Sequence, residues 1–494
     1  MKAPPLFLVM PPQVGLLAGF ATGLMCLRRH VERRLPNQRV EIIDLSNEED
    51  GLVDERLTEI KEAGVGSAIF GVTTTTATYQ AALHVAQAVK SLFGDKACVI
   101  FGGHHASADA DMVLQSHREV DYVIAGEGEA ALLAFLKAWP DVEETPGLIF
   151  RAGNRIVRNG APPPLAKEEL DQLTVDERWF IEPLCAGKFE HFTYVSARGC
   201  PLKCKFCSVA NQKIRGKSPS VIAEEVRAIV RKGYRRIAIE DNFFAHSPKR
   251  TREVCEALRA LKDEGLDFNW DCQTRVEAAA RDGVAAMLAE AGCDAAYLGV
   301  EALTEKALDF LGKATDAERY VRTLREVAAP ALFDAGLAVY INLQFGLPEE
   351  AGSGHRDMIE ILRGVGAVAA ERDSVVTVFP QLFVLYPGTE HWRMYRERGA
   401  VRSDLFETYT TWELDEVQLK GWMGRHFAHG VGGAPLGLLN RDKLKANQFE
   451  LNQNALIEVA DALTAVADLE GVEVFRYAKH LAPLPVANSA IAAL

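Results

Sequence analysis

The sequence predicts an α/β protein built in series: a doubly wound parallel sheet, a second run of strand–helix units, and a small, mostly helical C-terminal region. Three observations carry this expectation. Short apolar β-prone runs alternate with helical stretches through the first ~150 residues, the pattern of a parallel sheet with crossover helices. The alternation breaks at Pro162-Pro163-Pro164 and resumes near residue 191. The first strand of the second run leads directly into a short loop holding Cys200, Cys204 and Cys207, three of the nine cysteines in the chain.

In the first layer (residues 1–145) the strand candidates are 6–10, 40–44, 68–72, 98–101 and 122–125. Helical stretches fall at 15–34, 54–63, 77–92, 112–117 and 129–139. Five such strands read as a flavodoxin-like layer, which binds ligands at the carboxyl ends of its strands. Those ends carry Pro11-Pro12, then Thr73-Thr74-Thr75-Thr76, then Gly102-Gly103-His104-His105, then Gly126-Glu127-Gly128-Glu129. Threonine hydroxyls and amides at a helix start suit amide or phosphate oxygens, and glycines let a bulky planar ligand approach the backbone. Taken singly, each loop is also ordinary turn chemistry, and His105 reads equally as a ligand neighbour or as a residue bonded within its own turn.

Residues 146–190 read as a connector, with a hairpin around Gly153-Asn154 and a polar helical stretch at 167–177. Trp179, Phe180 and Cys185 fall here, with packing as their default role. From 191 to 388 the strand candidates are 192–197, 236–240, 268–272, 295–300, 338–345 and 375–384. Helices are expected at 220–232, 249–264, 276–291, 304–311 and 317–335. Polar groups gather at the strand ends: Glu240 and Asp241, Arg275, Glu301, and Gln344 before Gly346-Leu347-Pro348. The competing reading for each is a solvated loop or a salt bridge within the fold. Residues 389–494 are aromatic-rich at Trp392, Tyr395, Phe406, Tyr409, Trp412, Trp422 and Phe427, with a glycine-rich loop at 430–437 and a long helix at 448–468. They read as a mostly helical cap region.

The length of 494 residues suits two or three domains. A formal net charge of −13 argues against a nucleic-acid groove. No run approaches the ~18 uninterrupted apolar residues of a membrane span. The cysteine pattern suits a reducing cytosol rather than a disulfide framework, so the expected location is cytoplasmic.

The cysteine loop is the most specific feature. Three thiolates this close can hold three irons of a [4Fe–4S] cluster and leave the fourth open. Arg198, Lys203 and Lys205 would offset the negative charge and favour thiolate over thiol. A zinc knuckle would need a fourth ligand at matching spacing. The next candidates, His246 and Cys255, are too distant in sequence to supply one. No cysteine follows Cys293, which argues against a second, cysteine-ligated cluster in the C-terminal region.

Cys200-x-x-x-Cys204-x-Phe206-Cys207, with its aromatic residue before the last cysteine, resembles the signature of the radical SAM superfamily. The resemblance implies a partial (β/α)6 radical SAM barrel in which Cys200, Cys204 and Cys207 ligate the [4Fe–4S] cluster. The open iron would chelate S-adenosylmethionine, and an electron from a reductant such as flavodoxin or ferredoxin would cleave it to a 5′-deoxyadenosyl radical. Phe206, Glu240, Asp241, Arg275 and Glu301 fall where such enzymes hold S-adenosylmethionine. Ala302 replaces the serine of the family's Gly-x-Glu-Ser segment, which removes one hydroxyl contact.

Together with that motif, residues 3–140 resemble the cobalamin-binding domain of cobalamin-dependent radical SAM enzymes. The resemblance places Pro12, Thr73, Thr74, Thr75, Gly102, Gly103, His105, Gly126 and Glu127 near the corrin. No Asp-x-His-x-x-Gly segment is present, so the lower face of cobalt would be ligated differently or left open. The implied activity is methylation of an unactivated carbon in a small-molecule, lipid, peptide or natural-product substrate. The alternative is a non-methylating radical reaction on the same scaffold, such as cyclisation, ring rearrangement or carbon–carbon bond formation, with or without cobalamin. A non-catalytic sensor and a tRNA methylthiotransferase are further alternatives. The second would want extra cluster cysteines in a region that has only Cys26 and Cys98 before Cys185. No side chain is singled out as the catalytic acid, base or hydrogen donor.

Overall fold

The computed structural model describes residues 3–12, 21–46, 51–76, 78–175, 191–347, 350, 353, 355–383, 386–397 and 461–474. The expected elements at 15–20 and 398–460, and Trp179, Phe180, Cys185 and Pro348, lie outside the described residues.

The N-terminal sheet contains β1 (Leu6–Met10), β2 (Val40–Asp44), β3 (Ala68–Thr73), β4 (Ala97–Gly102) and β5 (Tyr122–Ile124), parallel and in the order 2-1-3-4-5. Alternate residues explain why it is doubly wound. Phe7, Val9, Phe70, Val72, Val99 and Phe101 bury one face; Leu6, Leu8, Ile69 and Ile100 bury the other. A sheet covered on both faces reads as continuous apolar runs, which is what made these strands legible. The hairpin around Gly153 is present as β6 (Leu148–Ala152) and β7 (Arg155–Arg158), and it extends this sheet antiparallel beyond β5.

Helices differ from expectation at one informative place. The Gly-Gly-His-His segment was expected as a loop, yet helix Gly103–Ala108 begins within it. Gly103 turns the chain at φ +89°, and the His105 and Ala106 amides then donate to the Thr74 carbonyl (3.2 Å) and hydroxyl (3.0 Å). The helix start is therefore tied to the preceding strand-end loop.

The second sheet begins with β8 (Phe192–Tyr194). A short antiparallel ribbon of β9 (Ala197–Arg198) and β10 (Arg215–Gly216) stands apart from it. The sheet continues with β11 (Arg236–Ile239), β12 (Asn269–Thr274), β13 (Cys293–Glu301), β14 (Ala338–Phe345) and β15 (Val376–Leu382). A seventh parallel strand, β16 (Val472–Val474), pairs with β15, so part of the C-terminal region completes the sheet rather than capping it. Gly366 and Gly471 permit this, since a Cβ on Gly366 would lie 2.3 Å from the Glu470 carbonyl oxygen. The helix expected at 276–291 is split, with Gly283 at φ +72° starting Val284–Glu290. The one expected at 317–335 contains a π-turn at Leu324–Ala328, just before Pro330, whose missing N–H cannot continue an α-helical ladder.

Cross-strand contacts define a polar lumen. Arg236 pairs with Asp271 (3.4 Å) and Asp294 (2.6 Å) at its lower end. Above them Tyr297 stacks on Tyr340 at 4.5 Å, and both meet Phe379 edge-on. Higher still, Gln273 donates to Glu240 (2.7 Å) and Gln344 to Glu301 (3.0 Å). The outward residues Trp270, Cys272, Leu298 and Ile341 are fully buried against helices. No described helix is long and apolar enough to cross a membrane.

Candidate cluster and cofactor site

The cysteine loop is held from three sides. The buried Asp241 carboxylate accepts from the Ser196 amide (2.7 Å), the Ala197 amide (2.8 Å) and the Ser196 hydroxyl (2.5 Å). The loop then folds on itself, with the Gln212 amide donating to the Cys200 carbonyl (2.7 Å), Asn211 to Leu202 (2.6 Å) and Cys207 to Cys204 (3.2 Å). Finally the Lys205 amide docks on the Leu311 carbonyl at 2.9 Å. Gly199 sits at φ +91°, and a Cβ there would fall 2.5 Å from the Lys213 carbonyl oxygen. Gly199→Ala is therefore expected to displace the loop and lose most of its bound iron, as read by iron content after anaerobic reconstitution.

Cys200 and Cys204 are buried and Cys207 is half-buried, with Phe206 packed on the main core beside it. Burial pushes the Cys207 thiol up to about 11, and the neighbouring Cys204 and Cys200 add to the shift. Such mutual repulsion among thiolates is relieved by bound metal. Among the described residues no three His, Cys, Asp or Glu side chains converge as a ready cage for one ion.

The charge balance differs from expectation. Arg198 turns away to Glu129 (2.7 Å) and Glu127 (3.7 Å), Lys205 donates to the Asp309 carbonyl (3.2 Å), and Lys203 is exposed. The cations beside Cys204 are instead Arg275, whose Nη1 lies 3.8 Å from the sulfur, and the buried Lys313. Burial lowers the pKa of Lys313, which Glu301 partly offsets at 3.9 Å.

The strand-end groups sort by whether they are already satisfied. Asp241 spends its carboxylate on the Ser196 and Ala197 amides and the Ser196 hydroxyl before the cysteine loop. Arg275 is likewise engaged: its Nε and Nη2 grip Glu277 at 3.0 Å each, and Nη2 also donates to the Lys313 carbonyl (2.9 Å). Glu240 faces the lumen and accepts from Gln273 (2.7 Å), and the desolvating strand ends around it push its pKa up. Glu301 follows a bulge in β13 and adopts φ +70°, a strained position for a side chain other than glycine. That turn brings its carboxylate to both Gln344 and Lys313.

Lower in the lumen, burial pushes Asp271 up to about 7, against the pull of Arg236. Between about pH 4 and about pH 7 the unfolded chain has lost this proton while the folded chain keeps it, so stability falls as pH rises. Asp271→Asn removes that loss. Its urea midpoint should gain on the wild type across this window, and a constant gap would contradict the assignment.

The N-terminal loops divide in the same way. Thr74 is buried and donates to the Gly102 carbonyl (2.7 Å), which locks the two strand-end loops together. His105 is buried, hydrogen-bonds Thr76 (3.1 Å) and stacks on Tyr79 at 4.1 Å; burial lowers its pKa to about 3. It belongs to its own domain's core, which favours the second of the two readings of this residue. Pro12 is also buried. Thr75, His104 and Gly126 stay exposed, with Thr73, Gly102 and Gly103 half-exposed beside them. A Cβ on Gly103 would come 2.5 Å from the Thr74 carbonyl oxygen, so this cradle depends on glycine.

Glu127 is drawn out of the cradle. It pairs with Arg215 (Nη1 at 3.1 Å) and Arg198, tying the Gly126–Glu129 turn to the β9–β10 ribbon beside Cys200. A second tie joins Arg396 to Asp109 (3.7 Å), where Gly388 abuts Ala108. Lys313, Gln273 and Arg215 were not singled out as site-shaping residues, and Glu129 entered only as part of the Gly126–Glu129 strand end. Lys313 carried a signal, as a lysine directly after the glycine that ends a helix.

Comparison with known proteins agrees with this arrangement. Residues 21–136 match the B12 binding domain and residues 194–350 match the radical SAM superfamily. An uncharacterized methyltransferase of Pyrococcus horikoshii is 26% identical over 352 residues, 69% of this chain and 72% of the relative. The anaerobic magnesium-protoporphyrin IX monomethyl ester cyclase of Rubrivivax gelatinosus is 28% identical over 330 residues, 62% of this chain and 54% of that one. In fold the chain is similar to the radical S-adenosylmethionine methyltransferase TsrM of Kitasatospora setae, solved with cobalamin and a [4Fe–4S] cluster. The TM-score is 0.64 at 18% identity, covering 81% of this chain and 79% of that one.

A B12-binding domain joined to a radical SAM domain defines a cobalamin-dependent radical SAM enzyme, and this chain belongs to that class. Within it the chain is methyltransferase-like, with cyclases also among its relatives. Its cofactors are S-adenosylmethionine, a [4Fe–4S] cluster and cobalamin.

Proposed function

We propose that this enzyme methylates an unactivated carbon of a small-molecule, lipid, peptide or natural-product substrate, drawing electrons from a low-potential carrier such as flavodoxin or ferredoxin. When bound, the three cofactors supply a hydrogen-abstracting 5′-deoxyadenosyl radical and a transferable methyl group. Cys200, Cys204 and Cys207 hold the cluster and leave one iron open. Glu240, with Gln273 orienting it, accepts the ammonium of S-adenosylmethionine, since a carboxylate suits an ammonium in a partly dry site. Lys313, Glu301 and Gln344 line the neighbouring side of the lumen. Thr73, Thr75, Gly102, Gly103 and Gly126 cradle the corrin. The observation that carries this reading is the Arg198–Glu129 pair (2.7 Å), which fixes the edge of the corrin cradle beside Cys200. Substrate held between the two layers is thereby aligned with both.

The test supplies anaerobically reconstituted protein, cobalamin, reductant and methyl-deuterated S-adenosylmethionine to a metabolite extract. A product carrying the label supports methyl transfer. An unlabelled product formed with 5′-deoxyadenosine sinks it and favours cyclisation or rearrangement, a second reading that the likeness to the Rubrivivax cyclase supports. Absence of 5′-deoxyadenosine would leave a non-catalytic binding protein.

A further inference from the structure

We propose that Arg275 sets the reduction potential of the iron–sulfur cluster by donating to the Cys204 sulfur from a guanidinium that Glu277 holds in place. This rests on the reading that Cys204 ligates the cluster.

The guanidinium has five N–H groups. One on Nε and one on Nη2 form a fork on Glu277, the second on Nη2 goes to the Lys313 carbonyl, and one on Nη1 is directed at Cys204 Sγ (3.8 Å). Four of the five are spent, so the planar fork that would grip a substrate carboxylate is already used on Glu277. The Arg275 side chain is only 10% exposed, whereas Glu277 is 49% exposed. The cation is therefore the dry partner and the carboxylate the wet one, so within this pair Arg275 outweighs Glu277 at the sulfur, where Lys313 adds a second positive charge. Despite burial, which would raise it, the Arg275 fork pulls the Glu277 carboxyl below its usual pKa, so the pair is ionised.

Reduction adds one electron from the low-potential carrier to the oxidised cluster. No proton moves, and the cluster gains one negative charge. A cation and an N–H donor at a ligand sulfur favour the more negative state, so they raise the potential.

The test is a reductive titration of the reconstituted cluster, followed by electron paramagnetic resonance without S-adenosylmethionine. Arg275→Gln should shift the midpoint in the negative direction. Glu277→Gln, which leaves the guanidinium uncompensated, should shift it in the positive direction and by less, because Glu277 is partly solvated. A loosened loop would not move the two variants oppositely. Unchanged potentials, or two shifts of the same sign, overturn the proposal. So does a variant that no longer holds iron, which would make Arg275 an anchor of the loop instead. Iron and sulfide content of the wild type is measured first. No cluster there would refute the cofactor assignment itself, whereas an intact cluster with unmoved potentials refutes only the role of Arg275.

Discussion

Cys204→Ala is expected to reduce both the iron–sulfur absorbance and the formation of 5′-deoxyadenosine to background while the protein stays folded. The reasoning separates site from scaffold. Cys204 is buried, but it sits in a loop held by backbone bonds that its side chain does not make: Gln212 to Cys200, Asn211 to Leu202, Lys205 to Leu311. Removing one sulfur from such a loop should cost on the order of 1 kcal/mol of stability. It leaves two anchors, too few for a cluster that needs three protein ligands with one iron open. Cys272→Ala is the control. That thiol is fully buried on the outer face of β12, so its loss should cost about 1–2 kcal/mol through packing, yet leave the iron content unchanged. Full iron in Cys204→Ala, or lost iron in Cys272→Ala, would contradict the assignment of the ligand loop.

The second large effect is expected at the junction of the two domains. Arg198 meets Glu129 at 2.7 Å, and the Glu129 side chain is only 4% exposed. Arg198→Ala would leave that carboxylate buried without its nearest cation, a loss of about 3–5 kcal/mol. Glu127 keeps Arg215, so the penalty concentrates on Glu129. Replacing both partners, as Arg198→Met with Glu129→Leu, should recover much of the stability, because an apolar pair does not leave a stranded charge. Arg259→Ala supplies the comparison. Its pair with Glu290 is more than half exposed on both sides and should contribute about 0–1 kcal/mol. Urea unfolding of the three variants beside the wild type checks this. An Arg198→Ala cost no larger than that of Arg259→Ala would show that the junction is not held by this pair.

The same junction marks how far the sequence could be read. The inner strand β1 was legible because both faces of a parallel sheet are apolar, so 6–10 appears as an unbroken run; 40–44, on the sheet's edge, carries Glu41 and Asp44 and still has matching bounds. The cysteine loop was legible because its ligands are local in sequence. What was not legible was the destination of each charge. Arg198, Lys203 and Lys205 stand beside the cysteines in sequence, yet the cations near Cys204 come from Arg275 and Lys313. Asp241 and Glu240 are adjacent and chemically alike. Strand alternation sends Asp241 to the backbone of Ser196 and Ala197 and Glu240 into the lumen. His104 and His105 divide in the same way between an exposed and a buried position. Nor could β16 be foreseen: three residues pair with β15 only because Gly366 and Gly471 let a helix and a turn approach closely.

The sequence by itself determined the class of chemistry. Three cysteines in one short loop, preceded by a strand-end pattern of threonines and glycines, specify metal and cofactor types through local spacing, and local spacing survives without a fold. The tertiary structure alone decided which ionisable groups are free to act. A carboxylate or guanidinium becomes a binding group or a structural one according to the partners it meets across strands and domains. Those partners are far apart in the chain, and only the register of the sheet and the docking of the two layers bring them together.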